Sequence, residues 1–205
     1  MKDLNDDRNP QARPTPDQPA EASARPGGEL FEWLQMMLVC ILGAVILFNC
    51  FARLTRVDGS SMDPTLQHGE MMVVWGLGYQ PKQGDIVVVN DTTAEFLGGP
   101  DGKAIVKRVI ALGGQTVDVD YTNSVVYVDG VPLDEPYTNG PMHNTGDFYM
   151  QQTHWEVPEG SIFVMGDNRN RSTDSRHDLL GPVDEGYLLG KAVLALWPIS
   201  QFGFL

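Results

Sequence analysis

Apolar positions along the chain form one long run and several short ones. The long run, residues 33–51, has the sequence WLQMMLVCILGAVILFNCF and contains no charged side chain. As a helix, a run of this length would extend about 28 Å, close to the roughly 30 Å of a bilayer's hydrocarbon core. We therefore predict one transmembrane helix over residues 30–52.

A cleavable signal peptide is the alternative interpretation of this run. Residues 1–29 in front of it are polar, carry charges of both signs and show no apolar periodicity, so we predict a disordered tail there. No small-x-small site follows the run, because residues 51–54 are FARL. These two features favour a retained span. Arginines stand on both sides of it, so the positive-inside rule does not assign its orientation.

The short apolar runs predict β-strands. Gly-, Pro- and Asn-containing turns separate them, and no stretch after the long run keeps a helical period for three turns. The sequence therefore predicts a mainly antiparallel β-sheet, barrel-like domain over residues 53–205, with an exposed loop at 91–103. The predicted strands are residues 71–75, 86–89, 104–111, 117–121, 125–128, 162–165 and 188–197.

Composition and charge exclude several functions. The chain has 205 residues and a formal net charge of −13, which argues against a nucleic-acid partner because binding phosphates requires clustered basic side chains. The two cysteines, Cys40 and Cys50, both lie in the long apolar run, so a disulfide framework or a cysteine zinc site is excluded for the rest of the chain. The four histidines show no metal-binding spacing, and we predict no metal and no cofactor.

Lys107 occupies an unusual place for a lysine. Side chains alternate along a strand, so Lys107 shares a face with Ile105 and Val109. Such a lysine is desolvated, its pKa falls, and it could accept a proton from a nearby hydroxyl. The structural alternative is a lysine at a sheet edge that extends into water or pairs with a carboxylate. Arg108 falls on the opposite face, where an ion pair is its default role.

Two polar segments are further candidates for chemistry. Residues 59–66 (GSSMDPTL) could present a serine hydroxyl at a strand end, although serine-rich turns are common and usually structural. Residues 166–176 (GDNRNRSTDSR) contain two acids and three arginines, which indicates a loop held by charge-assisted hydrogen bonds or an exposed polar loop. A Ser-His-Asp triad built on His177 with Asp174 or Asp178 stays open, because triads assemble in space.

The order of these segments resembles bacterial type I signal peptidases. An apolar span is followed by GSSMDPTL (residues 59–66), GDIV (84–87), VKRV (106–109) and GDNRNRSTDSR (166–176). The resemblance extends from the span to about residue 197. It implies a membrane-anchored serine endopeptidase that removes N-terminal signal peptides from exported preproteins after small-x-small sites, with its catalytic domain outside the cytoplasm.

The resemblance also implies roles for individual residues. Ser61 corresponds to the nucleophile and Lys107 to the general base. Ser172 corresponds to a serine that hydrogen-bonds the lysine and orients it, and Asp174 and Arg176 to a pair that supports the wall of the site. The backbone N–H of Ser61, together with a group near Gly59, would bind the oxyanion.

The resemblance places a small β cap at residues 116–155. We expect an extended substrate to add to an exposed strand edge formed by residues 71–75 and 84–89, with contacts to Met62, Val73, Ile86 and Val87. Met71, Met72 and Trp75 are expected to touch membrane lipid. The expected partners are preprotein signal peptides, membrane lipid and, by proximity, the secretion translocon.

Two other functions remain as alternatives. A related Ser/Lys autoprotease of the LexA type fits the dyad, but the apolar span and the GDNR segment count against it. A catalytically silent, membrane-tethered β domain that binds a partner belongs to a different functional class.

Overall fold

The computed structural model describes residues 26–90, 104–144 and 146–205. The predicted loop at 91–103 and residues 1–25 of the predicted tail lie outside the described residues. The first element, α1, is Pro26–Phe51, so it begins inside the segment assigned to the tail. Proline is favoured at the first helical position because its missing N–H has no partner there.

Helix α1 carries the apolar run. In the described part of the chain, one helix is long and apolar enough to cross a membrane, and its apolar window is Glu29–Ile46. The chain separates into two compact units, Met1–Ala44 and Val45–Leu205, with the boundary inside α1. All of the strands belong to the second unit.

A large antiparallel sheet holds most of the second unit. Its strands are β1 Ala52–Arg56, β2 Met71–Trp75, β3 Ile86–Val89, β4 Ile105–Leu112, β9 Ser161–Met165, β10 Val183–Asp184, β11 Leu188–Trp197 and β12 Gly203–Phe204. Within the described residues the strand order is β1-β2-β11-β3-β4-β9-β10, and β12 pairs with β11. Every one of these pairings is antiparallel, and the sheet is curled into a half-barrel whose two end strands are β1 and β10.

A second, smaller sheet forms the cap. Its order over the described residues is β7-β6-β5-β8, again antiparallel, with strands β5 Thr116–Asp120, β6 Val125–Val128, β7 Val131–Pro132 and β8 His154–Glu156. Three short 3₁₀ helices, Phe148–Met150, Glu185–Tyr187 and Ile199–Gln201, complete the described regular elements.

Buried apolar side chains cover both faces of the large sheet. Met62, Leu66, Ile86 and Val106 belong to one cluster, which also includes parts of β2 and β11. A second cluster packs Val87, Val89 and Val109 against β9, and a third joins β4 and β9 to the cap sheet through Trp155 and Phe163. Met62, which directly follows Ser61, thus anchors the segment that contains Ser61 to the core.

The predicted fold class, mainly antiparallel β with a small β cap after one apolar helix, is confirmed. The expected open edge at residues 71–75 and 84–89 is wrong. β2 lies between β1 and β11, and β3 lies between β11 and β4, so hydrogen bonds occupy both sides of each strand.

Candidate active site

Ser61 and Lys107 meet in the structure. Lys107 Nζ lies 2.9 Å from Ser61 Oγ and donates a second hydrogen bond, of 3.1 Å, to the carbonyl oxygen of Val106. Lys107 is 4% exposed. Burial lowers the pKa of Lys107 from 10.5 to about 8; the Asp174 and Asp167 carboxylates oppose this change and the Arg176 guanidinium adds to it.

The loop that carries Ser61 is clamped by the segment after β9. Asn168 donates its backbone N–H to the carbonyl of Ser61 and its side-chain N–H to the carbonyl of Ser60, both at 3.0 Å. A Cβ atom on Gly166 would lie 2.5 Å from the Ser61 carbonyl oxygen, so glycine is required for this close approach. The backbone of the predicted nucleophile is therefore fixed by residues about a hundred positions later in the sequence.

Asp167 joins the serine segment to the lysine strand. Its carboxylate accepts two hydrogen bonds from Arg108, at 2.8 and 2.6 Å, and one from Thr65 Oγ1 at 2.5 Å. Asp167 is fully buried, and Arg108 also stacks on the ring of Tyr137. Sequence reasoning assigned Arg108 to an ion pair but did not identify Asp167, because only the density of charges in residues 166–176 pointed to it.

Asp174 and Arg176 form a fully buried ion pair. Arg176 Nε lies 2.8 Å from Asp174 Oδ1, and Asp174 Oδ2 accepts the backbone N–H of Gly166 at 3.0 Å. Burial alone would raise the pKa of Asp174, but the Arg176 guanidinium and these hydrogen bonds hold it below its usual value. The pair fixes residues 166–176, since Arg176 also donates to the carbonyl of Arg169.

The hydroxyl of Ser172 does not hydrogen-bond Lys107. Ser172 Oγ is buried and forms no well-aligned hydrogen bond within the described residues, although its proximity to Asp174 helps to lower the pKa of that carboxyl. A Cβ atom placed on Gly166 would lie 2.3 Å from Ser172 Oγ and 2.5 Å from the Ser61 carbonyl oxygen. The Ser172 hydroxyl and the Ser61 carbonyl are therefore both close to Gly166. The expected contact between Ser172 and the lysine is absent: the described partners of Lys107 Nζ are Ser61 and Val106.

The backbone N–H of Gly59 has a different partner from the one expected. It donates to His68 Nδ1 at 3.0 Å, and Gly59 adopts φ +100, a conformation that favours glycine. The Gly59 N–H is therefore engaged and does not point freely at a substrate. The N–H of Ser61, in contrast, donates no hydrogen bond within the described residues. Sequence reasoning missed His68, which has no motif around it.

A cavity of about 160 Å³ opens beside Ser61 and Lys107. Its other lining residues come from 55–58, at the end of β1, from Met62, and from 104–106, at the start of β4. A larger cavity of about 570 Å³ lies in the cap around Tyr121 and His143, and its lining includes none of the predicted site residues. The smaller cavity is the one that can bring a ligand to the serine.

The predicted substrate-contact residues divide into two groups. Met62 lines the cavity beside Ser61. Val73, Ile86 and Val87 do not line it; they are buried in the sheet, because their strands are internal. Met72 is likewise fully buried in the core, so the expectation that it touches lipid is wrong.

His177 does not form the alternative triad. Its ring stacks on Tyr149 with centroids 5.1 Å apart, and its Nδ1 accepts the N–H of Leu179 at 3.3 Å. The described partner of Ser61 Oγ is Lys107. The geometry therefore favours a Ser/Lys pair over a Ser-His-Asp arrangement.

Comparisons with known proteins agree on one family. Residues 30–197 match the family model "Signal peptidase, peptidase S26". A protein of Synechocystis sp. named "Probable signal peptidase I-1" is 37% identical over 179 residues, which cover 85% of this chain and 86% of the relative. The signal peptidase I of Bacillus caldolyticus is 36% identical over 183 residues, which cover 84% of this chain and 93% of the relative.

A solved structure is also similar. The crystal structure of a signal peptidase I from Enterococcus faecalis V583 is 29% identical, with a TM-score of 0.42, and the match covers 56% of this chain and 98% of that chain. The family model alone spans most of the sequence, including both apolar and β regions. This chain therefore belongs to the signal peptidase family, peptidase S26, and is a serine endopeptidase.

Proposed function

We propose that this protein removes N-terminal signal peptides from exported preproteins, with Ser61 as the nucleophile and Lys107 as the general base. One observation carries the proposal: a buried lysine, with its pKa lowered to about 8, lies 2.9 Å from a serine hydroxyl. A serine nucleophile needs an adjacent base within hydrogen-bonding distance. Family membership supports the same reaction.

The neutral amine supplies the base. The neutral Lys107 amine has one lone pair, which can accept the Ser61 proton. One of its N–H groups donates to the Val106 carbonyl, and this hydrogen bond fixes the direction of the amine. As Ser61 Oγ attacks the scissile carbonyl, its proton moves to Lys107 Nζ, and the ammonium then protonates the leaving amine. Lys107 next deprotonates the water that hydrolyses the acyl-enzyme. Cleavage is expected to rise with pH through about 8, because protonated Lys107 cannot accept a proton.

The oxyanion requires donors aimed at the attacked carbonyl oxygen. The unengaged N–H of Ser61 is suited to this task, and Asn168 holds the backbone on either side of it. The Gly59 N–H is bonded to His68, so we do not assign it as the second donor.

An extended substrate can enter beside β4. Residues 105–107 pair with β3 on one side, whereas pairing with β9 on the other side begins only at Arg108. Residues 105–107 line the cavity together with residues 55–58. A peptide placed in this cavity would add as a strand along the unpaired side of residues 105–107. The cavity, at about 160 Å³, is smaller than ordinary ligand pockets and suits the small side chains of an Ala-x-Ala site.

Ser172, Asp174 and Arg176 act as supports in this proposal. The buried ion pair holds residues 166–176 against the serine loop, and Ser172 contributes a hydroxyl beside the Ser61 carbonyl. We propose that the Ser172 hydroxyl turns toward the Lys107 amine when Ser61 is acylated, because Ser61 Oγ then no longer hydrogen-bonds that amine. The role would explain why a buried hydroxyl without a partner is tolerated there.

A membrane anchor is consistent with the substrate. We propose that α1 spans the bilayer once and that the catalytic unit lies outside the cytoplasm, near the secretion translocon. The outer face of β1, β2 and β11 exposes Leu54, Met71, Trp75 and Trp197, which are suited to contact with lipid. A preprotein held in the bilayer by its own apolar segment would present its cleavage site at this surface.

Cleavage of an Ala-x-Ala preprotein by the detergent-solubilised full chain tests the proposal. Ser61→Ala is expected to lower kcat at least about 10³-fold, because it removes the nucleophile. Ser60→Ala is the matched control, since the Ser60 side chain forms no hydrogen bond within the described residues, and it should retain activity. Cleavage by the Ser61→Ala protein, or none by the parent chain at pH 9, would contradict the proposal.

A further inference from the structure

His68 lies on a turn that is anchored to the end of β1. Within residues 67–70 the N–H of Glu70 donates to the carbonyl of Gln67 at 3.2 Å, and Gly69 has φ +92. Val57 donates to Glu70 and accepts from Gly69, at 2.8 and 2.9 Å. This pattern is a type II turn followed by a G1 bulge, and it fixes the position of His68 relative to β1.

The imidazole of His68 contacts the two residues that precede Ser60 and Ser61. Its Nδ1 accepts the Gly59 N–H at 3.0 Å and lies 3.4 Å from Asp58 Oδ1. Asn168 holds the carbonyls of Ser60 and Ser61 at the other end of this segment. Residues 58–61, which we name the nucleophile loop, are therefore held by His68 at one end and by Asn168 at the other.

Proton binding changes which partner His68 can hold. Nδ1 accepts the Gly59 N–H only while the imidazole is neutral; once protonated, it is a donor that opposes that N–H. The charged side chains on the neighbouring segments are Arg56 at the end of β1, Asp58 after it, Asp63 beside the nucleophile loop and the buried Glu70 on the turn itself. The structure places the Asp58 carboxylate against the imidazole, so a protonated His68 would exchange Gly59 for Asp58.

We propose that His68 is a positioning residue for the nucleophile loop, and that it acts only as a neutral hydrogen-bond acceptor for Gly59. This inference rests on the proposed function of Ser61 and Lys107. Neutral His68 holds Gly59 in its left-handed conformation and, through Ser60, keeps Ser61 Oγ in reach of Lys107 Nζ. Protonation releases that end of the loop. His68 thus adds a proton-dependent step to the reaction that is separate from the protonation of Lys107.

Amide NMR on the full chain in detergent micelles tests the contact without requiring catalysis. Labelling Asp carbonyl carbons with ¹³C and Gly nitrogens with ¹⁵N selects three Asp-Gly pairs, at residues 58–59, 101–102 and 129–130. The Gly59 amide signal should move with the His68 ring signals as the pH is lowered, in the parent and in Ser61→Ala alike. His68→Asn, which keeps an acceptor but does not titrate, should abolish that movement. A Gly59 signal that ignores His68 protonation would overturn the proposal.

Kinetics test the consequence for catalysis. His68→Ala should lower kcat about three- to tenfold with little change in KM, the range that one net hydrogen bond spans. His68→Asn should restore most of the loss and make the acid side of the pH profile less steep than in the parent. His154→Ala is the control, because His154 is another exposed histidine paired with an aspartate, Asp118, but lies in the cap.

The outcomes separate the two proposals. Parental kcat in His68→Ala, or a His68→Asn enzyme as impaired as His68→Ala, would overturn the positioning role while leaving the Ser61–Lys107 pair intact. Loss of the proposed function would instead show as cleavage that survives Ser61→Ala, and it would leave the NMR result for His68 unchanged.

Discussion

Two lysines flank the same residue of the large sheet and have different surroundings. Lys107 on β4 and Lys191 on β11 are both cross-strand partners of Val87 on β3. Directly opposed residues share a face, so the two lysines leave the sheet on the same side, with backbones about 10 Å apart. Their positions in the fold are thus almost equivalent, and the difference between them lies in their neighbours.

The difference is the partner of each amine. Lys191 Nζ lies 2.6 Å from Asp85 Oδ1, and the Lys191 side chain is 32% exposed, so the two groups form a partly solvated ion pair. Lys107 is buried, and the two carboxylates that act on it electrostatically, Asp167 and Asp174, are each bound by an arginine. The comparison teaches that the pKa of a lysine falls where its amine is buried and arginines bind the nearby carboxylates.

Exchanging each lysine for arginine gives the largest expected effect. Lys107→Arg keeps a cation but removes the base, because a guanidinium does not lose its proton, and cleavage should fall by about 10²- to 10⁴-fold. Lys191→Arg keeps its ion pair with Asp85 and should cleave at nearly the parental rate. Initial rates on the Ala-x-Ala preprotein check both. Equal losses of cleavage rate in Lys107→Arg and Lys191→Arg would contradict this argument, because the position of the lysine in the sheet, and not the partner of its amine, would then determine activity.

Neutralising the carboxylate near each lysine should lower the free energy of unfolding by a different amount at each of the two positions. Asp167→Asn leaves Arg108 buried without its counter-charge and should lower the free energy of unfolding by about 3–5 kcal/mol. Asp85→Asn breaks the partly exposed pair with Lys191 and should cost about 1 kcal/mol or less. Urea titration at pH 7 measures both. A loss at Asp85 as large as that at Asp167 would contradict the argument.

The lowered pKa of Lys107 also predicts how stability depends on pH. Between about pH 8 and 10.5 the unfolded lysine binds a proton that the folded one has lost, so this group's contribution to stability rises with pH. The free energy of unfolding of the parent, relative to Lys107→Met, should increase by about 2–3 kcal/mol across that window. Tyr79 and Tyr137, whose pKa values are raised mainly by burial, titrate in both proteins and cancel. A constant difference would refute the lowered pKa.

The smallest effect is expected at Ser172. Its hydroxyl is buried, forms no well-aligned hydrogen bond in the described residues and contributes to the lowered pKa of Asp174, so Ser172→Ala should change the free energy of unfolding by less than about 1 kcal/mol, while kcat falls. Ser175→Ala is the control: Ser175 Oγ accepts the N–H of Val164, and its loss should destabilise by about 1 kcal/mol. An unchanged kcat in Ser172→Ala would contradict the proposed supporting role of Ser172 in the reaction.

Much of the fold could be predicted from the pattern of the sequence. The runs at Met71–Trp75, Ile86–Val89, Val125–Val128 and Leu188–Trp197 are strands with the predicted bounds, because apolar residues between turns have few other ways to be buried. The two-residue strands β7, β10 and β12 carry no pattern of their own. β1 was also missed, since its ARLTR sequence follows the apolar run directly.

The strand order and the contacts of the site could not be predicted in the same way. The expected substrate edge failed because local sequence does not say which strands become internal. The burial of Lys107 followed from its alternation with Ile105 and Val109, and the pairing with Ser61 came from family resemblance. Asp167 and His68 were missed, because their partners are set by the tertiary fold and their side chains are common in ordinary polar turns.

The position of Asp167 has a consequence for biosynthesis. Its carboxylate accepts hydrogen bonds from Arg108 and Thr65, which lie 59 and 102 positions earlier, and these contacts join the strand of Lys107 to the segment of Ser61. A ribosome that has added residue 150 has already made Ser61 and Lys107, but not the residue that ties them together. The hydrogen bonds that tie the Thr65 segment to β4, and with it Ser61 to Lys107, can therefore form only once residue 167 has been added to the chain.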